Sequence, residues 1–203
     1  MWRGRSTHIN PFSGALVSYR RETRETLVVV ELVPGAVAQV ETPIPFLTHM
    51  VETFLFYAGL GGRVYAEEKR RLDDGHHVIE DVAIALGRAL DQLIGDRSAV
   101  ARYGWAAVPM DDAFALAAVD LGGRPYWVVK AKLPNVAIGG YPLPMFPHWV
   151  RSLASEARAT IHIYARGRDP HHKVEAAHKA LGLALRAAVS PASGVQSTKG
   201  VLK

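Results

Sequence analysis

The amino-acid sequence predicts an α+β fold with an internal duplication, in which helices pack on one face of mainly antiparallel sheets. Three observations predict it. Along the chain, segments in which apolar and polar residues alternate, as in strands, are followed by segments whose apolar residues recur at helical spacing. The same order of elements occurs twice along the chain. A chain of 203 residues that is 49% hydrophobic can also bury a sound core, in one domain or in two small fused ones.

The duplication divides the chain into four segments that together form one compact domain. Each repeat is predicted to contain strands, a helix, a further strand and a second, longer helix. The segments are an N-terminal arm over 1–19, a first repeat over 20–97, a second repeat over 98–190 and a substrate-binding C-terminal tail over 191–203.

The first repeat begins with a long alternating segment. Alternation from Arg21 to Leu32 predicts one strand, which ends at Pro34-Gly35 because this dipeptide favours a turn. Residues 36–41 are predicted to return as its hairpin partner. The remaining elements of this repeat are a helix over 46–57, a strand over 63–69 and a helix over 76–94, which Asp73 or Asp74 can cap.

The second repeat follows the same order. Its two helices are predicted after a strand-rich segment and a connection rich in proline and glycine. The strands are expected over 103–108, 114–121, 126–132 and 160–165, the connection over 134–147, and the helices over 148–158 and 171–189.

One motif occurs in both repeats. It reads His76-His77-Val-Ile-Glu80 in the first and His171-His172-Lys-Val-Glu175 in the second, and eight of the fifteen positions that begin at each pair are identical. On a helix, positions i and i+4 share a face, so the first histidine and the glutamate of each motif converge. The second histidine points about 100° away, since a helix has 3.6 residues per turn. Each motif therefore offers a His/Glu pair to one metal ion and a single histidine to another.

A third histidine precedes each motif in a similar setting. His49 follows Phe46, and His148 follows Phe146. One His-His-x-x-Glu motif alone is more often a solvated helix start than a metal site, but two copies with matching third histidines favour metal. The donors suit Mn, Fe, Zn, Co or Ni without choosing among them. His162 lies in an alternating segment and is predicted to be structural or to support a ligand, whereas His8 and His178 have no partner pattern and are given no role.

Composition excludes several classes of protein. The absence of cysteine excludes disulfides, thiolate metal sites and a cysteine nucleophile. The sequence contains no run of 18 apolar residues, so no membrane-spanning helix is predicted. The N-terminus lacks the apolar core of a signal peptide, and a cytoplasmic protein is therefore expected. The net charge of +5 is not concentrated in a long basic segment, so the sequence does not indicate nucleic-acid binding. A few Arg or Lys residues that face inward could still bind the phosphate group of a small ligand.

Taken together, these motifs resemble the imidazoleglycerol-phosphate dehydratase family, and the resemblance covers residues 20–202. The number and order of the motifs carry it. They are Arg21-x-Thr23-x-Glu25-Thr26, Ile44-Pro45-Phe46-Leu47-x-His49-Met50, Asp74-x-His76-His77-x-x-Glu80-Asp81, Arg102-Tyr103-Gly104, Val108-Pro109-Met110-Asp111, Gly123-Arg124-Pro125, His171-His172-x-x-Glu175-Ala176 and Ser197-Thr198-Lys199-Gly200.

The resemblance implies the ribosomal protein S5 domain 2-like fold and two Mn2+ ions per active site, each with ligands from both repeats across a subunit boundary. It also implies trimers that assemble into a 24-subunit particle. Carried onto matching positions, the ligands of one ion are His49, His77, His171 and Glu175. Those of the other ion are His76, Glu80, His148 and His172.

The implied reaction removes water from an imidazolylglycerol phosphate to give imidazole acetol phosphate, in histidine biosynthesis. The C–H bond to be broken is not next to a carbonyl group, so metal ions would act as Lewis acids and as an orienting template. Glu25 is the candidate acid/base, and its alternative role is that of a charge on an edge strand. The residues that match the family's phosphate-contacting positions are Arg102, Arg124, Lys179, Ser197 and Lys199.

The chain departs from the family pattern at four positions. Thr48 replaces a usual aspartate, Thr53 stands where glutamine is common, Gly75 interrupts the usual Asp-Asp-His-His, and Asp169 replaces a usual asparagine. All eight ligands and Glu25 are present, so the departures put the support of the ligands and the grip on the substrate in question more than the reaction.

Two other functions stay open at this point. One is a catalytically silent metal-binding protein that keeps the ligands for the cohesion of its subunits. The other is a metal-dependent hydrolase of a small phosphate ester. Turnover to the ketone distinguishes the dehydratase from both.

Overall fold

The structure, a computed structural model, describes residues 15–201. The four helices and most of the strands follow the order predicted for two repeats. The strands are β1 (Val17–Glu22), β2 (Thr26–Pro34), β3 (Ala38–Glu41), β4 (Leu60–Glu68), β5 (Tyr103–Met110), β6 (Ala113–Asp120), β7 (Tyr126–Ala131), β8 (Ala137–Ile138), β9 (Tyr141–Pro142) and β10 (Thr160–Arg166). The helices are α1 (Pro45–Ala58), α2 (His76–Ile94), α3 (Met145–Glu156) and α4 (Pro170–Ala188).

Each repeat forms its own sheet. Between residues 15 and 201, the first repeat builds a four-stranded sheet in the order β1-β2-β4-β3, and the second builds one in the order β5-β6-β10-β7. In each sheet the last pairing, β4 with β3 or β10 with β7, is parallel and the others are antiparallel. The two sheets therefore have the same topology, and the predicted α+β class with mainly antiparallel sheets is confirmed.

The helices lie between the two sheets. Helix α2 packs on β1 and β2 of its own sheet, and α4 packs on β5 and β6. The long helix of each repeat also packs against the short helix of the other repeat, α2 against α3 and α4 against α1. This exchange brings side chains of both repeats together at two places, and both places carry histidines.

A glycine in each long helix allows the backbone of the neighbouring short helix to approach closely. A Cβ atom on Gly87 of α2 would lie 2.8 Å from the carbonyl oxygen of Leu153, and one on Gly182 of α4 would lie 2.6 Å from that of Phe54. Both distances are shorter than a side chain tolerates, so the repeated Ala-Leu-Gly segment sets the separation of the helices. The rings of Phe54 and Trp149 meet edge to face in the shared core, with their centroids 6.0 Å apart.

The predicted strand from Arg21 to Leu32 is wrong, because the structure has a hairpin there. Strand β1 begins at Val17, inside the segment expected to be irregular, and pairs with β2. The hydroxyl oxygen of Thr23 accepts the N–H groups of Glu25 and Thr26, each at 3.0 Å, and so stabilises a turn. Alternation alone does not reveal this turn, because the residues on both sides of it continue the pattern. The rest of the predicted arm lies outside the described residues.

The prediction that residues 36–41 pair with the preceding strand is also wrong. Strand β3 pairs in parallel with β4, since β1 and β4 already occupy both edges of β2. The connection between β2 and β3 passes close to the backbone of β4, where two glycines leave room for it. A Cβ atom on Gly61 would lie only 2.2 Å from the carbonyl oxygen of Ala36. The N–H group of Gly62 donates to the carbonyl oxygen of Val37 at 3.0 Å and fixes this approach.

The connection over 134–147 is more ordered than predicted. Its residues form the short hairpin of β8 and β9, and α3 begins at Met145, three residues before His148. Tyr141 of this hairpin is fully buried, with its ring centroid 5.8 Å from that of Phe46. In the range that the structure covers, none of the helices is long and apolar enough to cross a membrane.

Candidate metal centre

Three of the four ligands predicted for one metal ion meet where α1 packs on α4. We call His49, His171 and Glu175 the first cluster; their ligand atoms all lie within 4.8 Å of one another. The Oε2 atom of Glu175 lies 3.0 Å from Nε2 of His171 and 3.5 Å from Nε2 of His49. His171 and Glu175 share a helix face, and the packing of the two helices brings His49 to them.

Three of the four ligands predicted for the other ion meet where α2 packs on α3. The second cluster consists of His76, Glu80 and His148, again with ligand atoms within 4.8 Å of one another. The carboxylate of Glu80 lies between the rings: Oε2 is 3.9 Å from Nε2 of His76, and Oε1 is 3.1 Å from Nε2 of His148.

The donor sets fit a divalent transition metal ion. Each cluster offers two imidazole nitrogens and one carboxylate oxygen, which is the chemistry of Mn, Fe, Co, Ni or Zn sites. The Nε2 atom of His148 is buried without a hydrogen-bond partner among the described residues, because its approach to Glu80 lacks hydrogen-bond geometry. An orphaned acceptor aimed at a carboxylate is what a shared cation satisfies.

His77 does not join the first cluster within this chain. Its Nδ1 atom lies 2.5 Å from Oδ2 of Asp73, and its Nε2 atom lies 3.4 Å from Oε2 of Glu25. The helical spacing that separates His77 from the His76/Glu80 pair therefore gives it a different neighbourhood, beside the candidate acid/base.

His172 is held in the same way in the second repeat. Its Nδ1 atom lies 2.8 Å from Oδ1 of Asp112, and its Nε2 atom lies 3.6 Å from Oδ2 of Asp111. The hydrogen bond to Asp112 raises the pKa of His172. The pKa of Asp112 is lowered in turn by this bond and by the N–H groups of Asp169 and Arg168.

The hairpin between β1 and β2 holds Glu25 at its tip. The backbone carbonyl of Glu25 accepts the N–H groups of Lys69 at 2.7 Å and Arg70 at 3.2 Å. Thr26, the next residue, donates its hydroxyl hydrogen bond to Asp81 of α2. Glu25 thus belongs to an anchored turn rather than to an edge strand, and its side chain is about two-thirds buried, with 35% exposed.

Four of the five predicted phosphate ligands line one cavity of about 620 Å3. They are Arg102, Arg124, Ser197 and Lys199, and residues 195–201 of the tail form one wall. The guanidinium group of Arg102 donates to both carboxylate oxygens of Asp120, at 2.7 and 3.1 Å, and to the carbonyl oxygen of Gln196 at 2.8 Å. The hydrogen bond with Asp120 raises the pKa of Arg102, so its charge is permanent and its orientation fixed.

The structure places the fifth residue, Lys179, beside the first cluster instead. Its Nζ atom lies 3.0 Å from Oε1 of Glu175, one helical turn earlier on α4. Burial is the largest single influence on Glu175 and raises its pKa, but the hydrogen bond and charge of Lys179, the hydrogen bond of His171 and the charge of His49 together outweigh it, so the pKa is lowered. Lys179 thereby occupies one oxygen of this carboxylate, while the other faces the two histidines.

The remaining histidines differ in their surroundings. His162 lies on β10 with its ring centroid 6.4 Å from that of Tyr126, in neither cluster of the described chain. His178, which was given no role, is fully buried between Trp149 and Phe146, and its Nδ1–H donates to the carbonyl oxygen of Val174 at 2.8 Å. Burial lowers the pKa of His178 to about 4. His8 lies outside the described residues.

Sequence reasoning missed the carboxylates that surround the ligands. Asp73 was proposed only as a helix cap, and Asp112 and Asp81 received no role. One signal was available for Asp81: an aspartate on the buried face of a helix is rare unless it is paired. Asp112 has no signal in the sequence, because it comes from a turn that is distant in the chain from His172.

Comparisons with known proteins show which family the chain is similar to. A sequence model of the imidazoleglycerol-phosphate dehydratase family matches residues 42–185. A protein of that name from Pyrobaculum arsenaticum is 77% identical over 184 residues, covering 91% of this chain and 99% of its own length. Another of that name, from Caldivirga maquilingensis, is 53% identical over 186 residues and covers 90% of this chain and 96% of its own length.

Solved structures are also similar. The crystal structure of the protein of this family from Pyrococcus furiosus superposes with a TM-score of 0.80 at 40% identity, covering 91% of this chain and 100% of that one. The one from Staphylococcus aureus gives a TM-score of 0.77 at 30% identity, covering 88% and 100%. The similarity extends over both repeats.

Proposed function

The chain belongs to the imidazoleglycerol-phosphate dehydratase family, and on that premise we infer how its own residues carry out the dehydration. It is a carbon–oxygen lyase of histidine biosynthesis, acting on imidazoleglycerol phosphate. We propose that it works with two Mn2+ ions per active site and that each ion is bound by residues of two copies of the chain.

The observation that carries the proposal is the division of the eight ligands. Three ligands of each predicted set converge within one chain, as the first and second clusters. The fourth of each set, His77 or His172, stays apart with its Nδ1 atom engaged by a carboxylate. A set that is incomplete in one chain is completed when a second copy supplies the missing histidine. The proposal therefore includes self-association, through trimers to a 24-subunit particle.

The metal ions supply Lewis-acid stabilisation of negative charge on the substrate's imidazole ring when they are bound. The two clusters orient the ring, because their imidazole and carboxylate donors are fixed by helix packing before substrate arrives. Mn2+ is compatible with this mixed nitrogen and oxygen donor set.

Glu25 is proposed to move the proton. Its carboxylate lies 3.4 Å from Nε2 of His77, so a substrate bound near that histidine is within its reach. As a base it accepts the proton from the carbon next to the ring-bearing carbon, and as an acid it gives that proton to the departing hydroxyl group, which leaves as water. The enol that remains becomes the ketone when its O–H proton moves to the ring-bearing carbon. The backbone hydrogen bonds from Lys69 and Arg70 keep the turn in place while it does so.

The phosphate group is proposed to bind in the cavity of Arg102, Arg124, Ser197 and Lys199. Arg124 and Lys199 supply positive charge, and the guanidinium fork of Arg124 matches phosphate oxygens. The fork of Arg102 is bound to Asp120, so this arginine shapes the cavity and adds its charge beside the phosphate. Lys179 stays a predicted phosphate ligand that would reach this group from the first cluster. The tail forms part of the cavity wall, so its order is expected to respond to the phosphate.

A dehydratase assay on chelator-stripped protein tests the proposal. We expect ketone formation only after Mn2+ is restored, together with two ions per chain. His148→Ala should lose one ion per chain, while the matched control His162→Ala keeps both. Two bound ions without any ketone would support the silent assembly protein instead, and phosphate release without ketone would support a hydrolase.

Chelation also tests the shared sites. Removal of both ions is expected to lower the sedimentation coefficient, because ligands from different copies then lose their common ion. An unchanged sedimentation coefficient after verified removal would contradict a role for the ions in assembly.

A further inference from the structure

The two histidines that stay outside the clusters share a feature. His77 and His172 each have a carboxylate oxygen close to Nδ1: Oδ1 of Asp112 shares a hydrogen bond with His172 at 2.8 Å, and Oδ2 of Asp73 makes an ion-pair contact with His77 at 2.5 Å. An ionised carboxylate only accepts hydrogen bonds, so both contacts favour a ring that carries its proton on Nδ1. The Nε2 atom then has a free lone pair, which is the form in which imidazole binds a metal ion.

In the first repeat the carboxylate comes from the loop before α2. Asp73 accepts the N–H group of His76 with Oδ1 at 2.8 Å and contacts His77 with Oδ2. Gly75, in a left-handed conformation with φ of 85°, reverses the chain so that Asp73 lies over the start of the helix. One carboxylate thus caps the helix and holds the ring.

In the second repeat the carboxylate comes from another part of the chain. Arg168 stands where Asp73 stands in the first repeat, and Asp169 caps the helix by accepting the N–H groups of His171 and His172. The ring is held instead by Asp112, in the turn between β5 and β6. The Oδ2 atom of Asp112 accepts the N–H groups of Arg168 and Asp169, and Oδ1 contacts His172.

The duplicated motif therefore reaches the same arrangement by two routes. We propose that Asp73 and Asp112 are positioning residues that fix the proton on Nδ1 of His77 and His172 and present Nε2 to the divalent cation of a neighbouring copy. This inference rests on the proposed function, because it assigns these histidines to metal ions held mainly by another chain. The carboxylates set ring orientation before the copies meet.

Substitution by asparagine tests the inference sharply. In each aspartate one oxygen is already committed to backbone N–H groups, so an asparagine there must keep its carbonyl oxygen on the backbone. Its amide NH2 group then faces Nδ1 and donates to it, which moves the ring proton to Nε2. Asp73→Asn and Asp112→Asn therefore keep size and backbone contacts but reverse the tautomer.

The first measurement needs no metal. In chelator-stripped protein at mildly alkaline pH, nitrogen-15 shifts of the ring nitrogens report which nitrogen carries the proton. We expect protonated Nδ1 for His77 and His172 in the unaltered protein, and protonated Nε2 for His77 in Asp73→Asn and for His172 in Asp112→Asn. A protonated Nε2 in the unaltered protein overturns the inference.

The second measurement is the binding of Mn2+ to the same proteins. Each variant is expected to need roughly ten- to hundred-fold more Mn2+ to fill one of its two sites, as found when partners of metal-bound histidines are removed. The matched controls are Asp74→Asn and Asp169→Asn. Both controls remove a charge near the same helices. The side-chain oxygen of the asparagine in Asp169→Asn still caps α4, so both controls should bind Mn2+ like the unaltered protein.

The outcomes separate the inference from the proposed function. Unaltered Mn2+ affinity in both variants, with reversed tautomers, overturns the positioning role and leaves the metal sites standing. An unaltered protein that takes up no Mn2+ but has Nδ1 protonated in both rings overturns the metal proposal and supports the orientation that the carboxylates impose.

Discussion

The hydroxyl group of Thr26 donates a hydrogen bond to the carboxylate of Asp81, and this contact joins the hairpin of Glu25 to α2. Both side chains are buried, and the Nε atom of Arg21 donates to the other oxygen of Asp81 at 2.6 Å. Asp81 follows Glu80 directly, so one buried carboxylate ties the turn of the proposed acid/base to a residue of the second cluster.

We expect Thr26→Val to destabilise the protein and to lower kcat. Valine keeps the shape of threonine but removes the donor, and a buried carboxylate that loses one is destabilised by about 1–3 kcal/mol. Urea unfolding of the metal-stripped protein measures the loss. Thr26→Ser, which keeps the hydroxyl group, should retain the contact, and equal stability of the two variants would contradict its importance.

Glu25→Gln is expected to reduce kcat by about 10²- to 10⁴-fold, the usual contribution of a positioned acid or base. Glutamine cannot accept the proton, but it leaves the anchored turn and the metal ligands in place. The Mn2+ content should therefore stay at two ions per chain. The control is Glu22→Gln at the end of β1, where the carboxylate pairs with Lys69 and Arg20 on the surface; activity there should persist.

Mixing inactive variants tests whether two copies share a metal ion. His49→Ala breaks the first cluster of its own chain, and His77→Ala removes the histidine that we propose each chain gives to another. Each variant alone should be inactive. When the subunits are dissociated, mixed and reassembled with Mn2+, about a quarter of the sites combine intact parts and activity returns, as random exchange in a symmetric oligomer requires.

The matched control for this experiment mixes His49→Ala with His171→Ala. Both substitutions lie in the same cluster, so every site keeps one broken part whichever chains combine. Mixing should restore nothing. Equal recovery in the two mixtures would refute the division of ligands between copies.

The free energy of unfolding is expected to decrease as the pH is lowered, because of His178. Its folded pKa of about 4 lies below the ordinary value of 6.5, so the unfolded chain binds a proton that the folded chain excludes. This contribution is complete above pH 6.5 and is lost as the pH falls toward 4, about 2 kcal/mol between pH 7 and 5.

Unfolding of His178→Phe checks this pH dependence. Phenylalanine fits between Phe146 and Trp149 without a titrating group, so the stability of the variant should change less between pH 7 and 5 than that of the unaltered protein. His162→Phe on β10 should keep the full dependence. The same slope in the unaltered protein and His178→Phe would assign the effect to another group.

The clusters could be predicted from the sequence because they depend on local spacing and on a repeat. Helical period alone joins His76 to Glu80 and His171 to Glu175, the repeat supplies a third histidine in each half, and the resemblance to the family assigns His148 to the first pair and His49 to the second. The order of strands in the sheet was harder to predict. The pairing of β3 with β4 depends on the close approach of Gly61 to Ala36, which are far apart in the chain, so this prediction failed on a contact that is not local. Strand β1 was missed because a local turn at Thr23 lies within an alternating segment.

The surroundings of the ligands were the least predictable part. Asp112 reaches His172 from a different hairpin, and Asp81 meets Thr26 across two elements, so neither contact follows from spacing. Residues that contact ligands through tertiary packing become visible only once the helices and sheets are placed. Gly75, one of the four departures from the family pattern, accompanies the position of Asp73 over the helix start.

Each cluster draws on both repeats: His49 of the first repeat joins His171 and Glu175 of the second, and His148 of the second joins His76 and Glu80 of the first. An ancestral polypeptide of half this length would therefore have carried no complete cluster and needed a twin to form one. Joining two such halves in one chain makes that encounter intramolecular, at a high effective concentration. The halves then need not be identical, and each holds its remaining histidine with an aspartate from a different part of its own repeat.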